Sequence, residues 1–258
     1  MNGKLYLIGC GPGDADLLTF KALKTINKLD VALIDHLLTQ EIIDLIPSQT
    51  KVVFVGKEKG KHSFPQEQIN TMIAEYAHQG YTVGRLKCGD PYIFGRGTEE
   101  AIYAMSNGIE TEVIPGISSA LSGPLSVGIA PTARGVSTGV SVVSAHLSGD
   151  RVNLSWIPML GVSDHTTVVL MGLSRIRQIV KEALEQGINP HLPVAIVSNA
   201  TTAIQSSIVT TLGELVSTAK GAPKPAILVF GEVVNLSQVL PKYRYEAKEV
   251  SYDIANAG

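Results

Sequence analysis

Residues Leu5 to Leu23 read "LYLIGCGPGDADLLTFKAL": an apolar strand, a glycine-rich turn and the start of an amphipathic helix. A strand that runs through such a turn into a helix opens many α/β sheets, and with the spacing G-x-G-x-x-G it cradles a pyrophosphate. Here the turn is Gly9-Cys10-Gly11-Pro12-Gly13-Asp14, so the glycine spacing differs and Pro12 removes one N–H donor. Asp14 and Asp16 place negative charge at the helix start, which suits a helix dipole and repels a phosphate. The turn therefore favours a neutral or cationic ligand, or none. Its plainest structural reading is that Asp14 or Asp16 caps a helix running to about Lys28.

The pattern repeats outward from this unit. Apolar, β-branched runs recur at "DVALID", "KVVFVG", "YTVGRL" and "TEVIPG", separated by segments of helical period. One helix is signalled by Ser63 and Gln66 as a capping box with Pro65 in the first turn; its stripe Ile69, Met72, Ile73 and Tyr76 is expected to be core. After Gly116 the segment "ISSALSGPLSVGIAPTARG" is rich in small residues, and strands then resume at "GVSVVSAH", "TTVVLMG", "PVAIVSNA", "QSSIVTT" and "PAILVFG". A further helix starts at Ser174 and stops at Gly187. The expected organisation is an N-terminal α/β domain over residues 1–116, a C-terminal α/β domain over 117–242 and a charged tail over 243–258. Two α/β domains with a small-residue connection place a ligand site in the cleft between them.

Composition narrows the function. The chain has 258 residues, enough for two ordinary domains, and 45% of them are hydrophobic. It lacks an apolar run long enough to cross a membrane and has no signal-peptide pattern, so a cytoplasmic protein is expected. Two cysteines, Cys10 and Cys88, are too few for a disulfide framework and have no metal-ligand spacing, so reduced thiols and no metal are expected. A net charge of −2 with one Trp and five Phe argues against a nucleic-acid partner.

Chemistry-bearing residues cluster in the loops after the first-half strands, where open α/β sheets bind ligands. Asp35-His36 follows "VALI", where a carboxylate would bind ribose hydroxyls in a mononucleotide fold, and a surface carboxylate is an equal reading. "GKEKGKHS", Gly56 to Ser63, gathers three lysines and a histidine in a turn whose two glycines, Gly56 and Gly60, allow a bent backbone able to point several cations at a polycarboxylate. "RLKCGDPYIFGRGTEEA", Arg85 to Ala101, packs Cys88-Gly89-Asp90-Pro91, an Ile93-Phe94 pair expected to be buried, and Gly95-Arg96-Gly97 ahead of Glu99. A loop that only links a strand to a helix rarely needs this combination.

With these residues in view, the chain resembles the tetrapyrrole methylases. "YLIGCGPGDADLLT", "DHLL", "VGKEKGKHS", "RLKCGDPYIFGRGTEEA", "VIPGISSA", "GIAPTARG", "MGL" and "SNATT" follow the family's motifs in order, over about residues 3 to 240. The resemblance implies two α/β domains distinct from the Rossmann methyltransferases, a homodimer, and S-adenosylmethionine (SAM) as methyl donor. SAM is a sulfonium, which agrees with a turn hostile to phosphate. Carried over residue by residue, the donor contacts are Pro12, Cys88, Gly89, Asp90, Ile93, Ser118, Ser119, Met171 and Ala200. Asp35 and Lys57 match acid–base positions, and Arg96 matches an arginine acting on the substrate. Lys59, His62, Glu99 and Arg134 are the remaining substrate-binding positions.

The implied reaction moves methyl groups from SAM to C-2 and C-7 of uroporphyrinogen III, giving precorrin-2 for sirohaem or corrinoid synthesis. An electron-rich pyrrole carbon attacks the methyl in line, so alignment and proton handling are what the protein must supply. An unperturbed lysine is about four pH units from useful acidity near neutrality, so Lys57 needs desolvation or neighbouring cations, and Lys59 and Lys61 are the candidates for the latter. Arg96 stays protonated and is read as a fork for substrate carboxylates. Both cysteines are expected to border the donor. The family has Gly where this chain has Cys88, Arg where it has His36 and Glu58, and His where it has Ala133. Three other readings stand beside this one: a sister methylase acting on a later corrin precursor, a diphthine synthase-like enzyme, and a donor-binding regulatory module without turnover.

Overall fold

The computed structural model describes residues 3–56, 64–147 and 151–247. Ser63 of the expected capping box lies outside them, as do Lys57, Glu58, Lys59, Lys61 and His62. The chain divides into two compact units at Ser118/Ser119.

The first unit alternates strand and helix: β1 (Lys4–Gly9), α1 (Phe20–Ile26), β2 (Val31–Ile34), α2 (Gln40–Asp44), β3 (Lys51–Phe54), α3 (Gln66–His78), β4 (Thr82–Lys87), α4 (Gly97–Ser106) and β5 (Glu110–Ile114). The strands form one sheet in the order β3-β2-β4-β1-β5. Every pairing is parallel, with Gly9 opposite Lys87, Ile34 opposite Leu86 and Ile8 opposite Ile114. The period of two sorts the side chains. Leu5, Leu7, Leu33 and Val83 pack with Ile69 and Ile73 of α3 and Ala101 and Ala104 of α4. Ile8, Cys10, Ala32, Ile34 and Leu86 pack on the other face with Ala22 and Ile26 of α1 and Ile42 of α2. Each fully buried leucine or isoleucine contributes roughly 1.5–3 kcal/mol, so both faces hold the sheet.

Three helix-start expectations change. Asp14 caps only a short 3-10 turn, Ala15–Leu17, accepting the Asp16 N–H at 2.8 Å. Leu18 is extended, and α1 begins after Thr19, whose Oγ1 accepts the Ala22 N–H at 3.1 Å, and ends at Ile26, short of Lys28. Pro65 holds the cap position of α3, and the Gln66 amide bonds Asn70 and Glu100 in place of a cap. Ser174 falls in a 3-10 turn, Leu173–Arg175, ahead of the helix it was expected to start.

The second unit contains α5 (Ser119–Ser126), β6 (Gly139–Ser144), β7 (His165–Leu170), α6 (Ile176–Glu185), β8 (Pro193–Ser198), β9 (Ser206–Thr211), α7 (Leu215–Thr218) and β10 (Ala226–Phe230). Its sheet runs β6-β7-β10-β8-β9. β6 and β7 are parallel and the other pairings antiparallel. Val169, Ile196, Leu228 and Phe230 pack against α6, α7 and Trp156 on one face; Val168, Val197, Ile227 and Val229 pack against Ala120 and Val127 on the other. Gly187, at φ +77°, ends the segment containing α6. Among the described residues no helix is long and apolar enough to cross a membrane.

Candidate active site

All five parallel strands of the first unit end at one edge of the sheet, so the loops after β1, β2, β4 and β5 lie side by side. The backbone packing there is close. A Cβ on Gly9 would sit 2.9 Å from the Gly89 carbonyl oxygen, and one on Gly116 would sit 2.6 Å from the Gly9 carbonyl carbon, so only glycine lets these three segments meet. The Gly89 N–H donates to the Gly11 carbonyl at 2.7 Å and the Gly11 N–H to the Gly89 carbonyl at 3.2 Å. The turn of the opening stretch and the "CGDP" loop, far apart in the chain, are thus one bridged structure. Asp90 secures it from a third side, accepting the Tyr92 N–H at 2.8 Å and the Gly116 N–H at 3.1 Å. Pro12 and Cys88 are half-buried at this bridge, and the Asp90 carboxylate is committed to shaping the loop. Small residues and backbone groups of this kind fit a neutral or cationic donor.

The loop beyond Asp90 carries a correction. Ile93 and Phe94 are exposed, at 41% and 47%, where burial was expected. Phe94 and Arg96 adopt left-handed backbone, φ +52° and +59°, and so turn the chain tightly over Pro91, whose carbonyl lies 2.6 Å from where a Gly97 Cβ would be. The same turn presents Arg96. Its Nε and Nη2 grip Glu99 bidentately at 2.8 and 2.7 Å, and both side chains are about half exposed. The Arg96 guanidinium beside it holds the Glu99 carboxyl below the usual carboxylate range, and Glu99 in turn raises Arg96.

Behind this loop stands a cluster that the sequence pattern left without a role. Arg85 and Lys87 alternate along β4 on the α3/α4 face, and both are buried. Glu100 of α4, wholly buried, accepts Arg85 Nε at 2.9 Å, Lys87 Nζ at 2.9 and 3.0 Å, and Gln66 Nε2 at 3.1 Å. Arg85 Nη2 continues to Asp35 Oδ1 at 2.6 Å, which ties the end of β2 into the same cluster. Burial opposes the charge of Arg85, and Glu100 with Asp35 more than restores it; burial and then Arg85 push the Lys87 ammonium below its usual range despite Glu100. The available signal was two cations two residues apart in a strand flanked by apolar residues. Gly56 backs against this corner: a Cβ there would lie 2.7 Å from the His36 nitrogen and 3.1 Å from the Asp35 Cα. His36 stacks on Phe54, ring centroids 5.5 Å apart.

The cysteines divide. Cys10 and Cys88 both lie on the α1/α2 face, at the ends of adjacent strands. Cys10 is fully buried with its Sγ directed at the Ile8 carbonyl, so it fills core volume and the expectation that it borders a ligand is withdrawn. Cys88 is half-buried, its Sγ 3.7 Å from the Gly11 carbonyl, and burial pushes its thiol up to about 11.

In the second unit, Met171 and Ala200 follow β7 and β8, which run the same way on either side of β10, so both residues come to one edge. Met171 is 45% exposed at φ +58°, and Ala200 is half-buried beside Gly123 of α5. Ser119 opens α5. Arg134 is exposed in a turn closed by the Val136 and Ser137 N–H groups on the Ala133 carbonyl. His146, just beyond β6, is exposed.

Residues 4–216 match the family model described as Tetrapyrrole (Corrin/Porphyrin) Methylases. The chain belongs to the tetrapyrrole methylases. It is 42% identical over 242 residues to a uroporphyrinogen-III C-methyltransferase from Methanocaldococcus jannaschii, covering 92% of this chain and 98% of that one. It is 38% identical over 251 residues to Siroheme synthase 1 of Klebsiella pneumoniae, covering 97% of this chain and 53% of that protein, and so spans about half the length of that relative. Its fold matches the solved uroporphyrin-III C-methyltransferase from Thermus thermophilus complexed with S-adenyl homocysteine, with a TM-score of 0.80, 35% identity, and coverage of 91% of this chain and 100% of that one. The two-sheet α/β architecture of this methylase is thus the family's own.

Proposed function

We propose that this tetrapyrrole methylase is a SAM-dependent C-methyltransferase that methylates uroporphyrinogen III at C-2 and C-7 to give precorrin-2. The observation that carries the reading is the carboxyl edge of the first sheet, where the bridged Gly11 and Gly89 loops, the Asp35–Arg85 pair and the exposed Arg96 fork follow one another along adjacent strands. The near full-length similarity to the Methanocaldococcus enzyme supports the same substrate.

When bound, SAM supplies an electrophilic methyl group on a positively charged sulfur. For holding it we propose the positions that match the family's donor contacts: Pro12, Cys88, Gly89, Asp90, Ile93, Ser118, Ser119, Met171 and Ala200. The chain's own chemistry is then positioning and proton handling. Attack by a pyrrole carbon forms the C–C bond and breaks the C–S bond, and the macrocycle must afterwards lose a proton. Asp35, a carboxylate at the end of β2, is the acid–base candidate, with Lys57 as its partner from the adjoining loop. Arg96 forks onto substrate carboxylates; the Glu99 carboxylate that occupies the fork here is an exposed, exchangeable partner of the same chemical type. Lys59, His62 and Arg134 are the further substrate-binding positions in this reading. We further propose a cytoplasmic homodimer.

The test is anaerobic incubation of the protein with SAM and uroporphyrinogen III, followed by mass spectrometry. A gain of two methyl groups is expected. Binding of S-adenosylhomocysteine without any methyl gain would overturn the substrate and favour a sister methylase or a regulatory module. Tight NAD binding without homocysteine-adduct binding would overturn the donor.

A further inference from the structure

Four charged side chains form one continuous chain of contacts inside the first unit, and the reaction as described uses only the outermost of them. Arg85 sits in the middle. Its Nε donates to Glu100 at 2.9 Å, its Nη2 to Asp35 at 2.6 Å, and its Nη1 to the carbonyls of Leu86 at 3.1 Å and Leu33 at 3.4 Å. A planar fork engaged through all three nitrogens cannot turn without losing several bonds at once, and an ammonium could not make this set. Glu100 cannot move either. It is fully buried, both its oxygens take Lys87 Nζ, and Gln66 reaches it from the start of α3. With two cations and two carboxylates the cluster is neutral, which is the condition for burying it at tolerable cost.

The consequence falls on Asp35. An aspartate at the end of a strand ordinarily rotates freely about its last torsion, so its two oxygens are interchangeable. Here Oδ1 is committed to Arg85, while among the described residues no partner takes Oδ2, and the side chain is 25% exposed. We propose that Arg85, held from behind by Glu100, is a positioning residue that fixes the orientation of the Asp35 carboxylate and presents Oδ2 as the atom that handles the proton. This rests on the reading of Asp35 as the acid–base group. Glu100 has a second effect through the same contacts. It follows Glu99 in the first turn of α4, so the carboxylate that steadies Arg85 also anchors the helix start from which Arg96 projects. The candidate proton handler and the candidate substrate fork are registered to each other through two buried residues, Arg85 and Glu100.

A purely structural ion cluster and a positioning device differ in how they combine with Asp35. The experiment is a double-mutant cycle on kcat, with KM for uroporphyrinogen III and the Kd for S-adenosylhomocysteine by calorimetry, at a temperature where circular dichroism shows each variant folded. Arg85→Lys keeps the buried charge and loses the fork; it is expected to lower kcat by about tenfold or more while KM and the donor Kd stay within about twofold. Asp35→Asn lowers kcat further. The double variant is expected to be no slower than Asp35→Asn within about twofold, because Arg85 has nothing left to orient. Should Arg85→Lys fail to fold, Glu100→Gln enters the same cycle with the same expected non-additivity. Losses that multiply in the double variant, or donor affinity that falls in step with kcat, would overturn the proposal and leave a structural cluster. Wild-type kcat in Arg85→Lys beside a slow Asp35→Asn overturns the proposal alone; wild-type kcat in Asp35→Asn removes the acid–base reading and the proposal together.

Discussion

Glu99 and Glu100 are consecutive residues in the first turn of α4, and each binds an arginine through short hydrogen bonds. Burial makes them opposites. The Glu99–Arg96 pair is bidentate with side chains 51% and 56% exposed, whereas the Glu100–Arg85 pair lies at 0% and 3%. In water the first pair gains little over its separated, hydrated partners and can exchange one carboxylate for another. Inside the unit the second has no water to fall back on, so removing one partner strands a charge. One helix turn therefore carries a contact built to open and a contact built not to.

The largest expected effect breaks the buried side of this comparison. Glu100→Ala leaves Arg85 and Lys87 as adjacent buried cations and should cost about 3–5 kcal/mol of unfolding free energy. Glu99→Ala should cost less than about 1 kcal/mol. Urea denaturation of the two variants checks both values, and equal costs would show that burial does not separate the two glutamates. The exposed side is sharpened next by Arg96→Lys, which keeps the charge and loses the fork. Turnover on uroporphyrinogen III should fall about 10- to 100-fold with thermal stability and S-adenosylhomocysteine affinity unchanged. A stability loss larger than that of Glu99→Ala would mean that Arg96 is part of the scaffold.

The same contrast recurs on the other face of β4, between two thiols. Cys88 is half-buried with its thiol pushed up to about 11 from an ordinary 9.0, chiefly by burial, and Cys10 is pushed up further by complete burial. At pH 8 this leaves Cys88 far less thiolate than an ordinary cysteine, so alkylation should be slow and should quicken as pH rises towards 11. Cys10 should label only on unfolding. Saturating S-adenosylhomocysteine should slow the labelling of Cys88. Equal labelling of both residues in the native protein would remove the distinction, and ligand-independent labelling of Cys88 would take it out of the donor site.

How much of this was legible in the sequence follows from where each signal is stored. The strands announce themselves because β-branched, apolar runs such as "VALI" and "AILVF" are local, and the strand-end loops announce themselves because glycine clusters are rare without a backbone reason. The bridge between Gly11 and Gly89 was anticipated only as a shared ligand, since its hydrogen bonds join segments far apart in the chain. Ile93 and Phe94 were misread because apolar side chains imply burial unless the backbone turns them outward, and left-handed φ at Phe94 and Arg96 carries no compositional mark. Arg85, Lys87 and Glu100 are the instructive omission. Each alone resembles a solvated charge. Their meaning is a tertiary fact, made by β4 passing through the middle of the sheet under the first turn of α4.

The smallest expected effect tests the open contact by pH. Arg96 holds the Glu99 carboxyl below its ordinary value of 4.5 through their hydrogen bonds. A carboxyl with a lowered folded value binds fewer protons in the folded than in the unfolded protein, so it contributes stability that is fully present above pH 4.5 and is lost as pH falls through the lowered value. Because the pair is half exposed and screened, the whole contribution should stay under about 1 kcal/mol. Comparing wild type with Glu99→Gln by thermal unfolding at pH 6 and pH 3, the stability difference should shrink towards zero at the lower pH, and should also shrink at pH 6 when salt is raised. A difference that persisted unchanged at pH 3 would mean that Glu99 contributes through packing and not through its charge. Arg96 would then gain its exposed fork without needing a carboxylate to leave, and the opening of this contact on substrate binding would no longer follow from its chemistry.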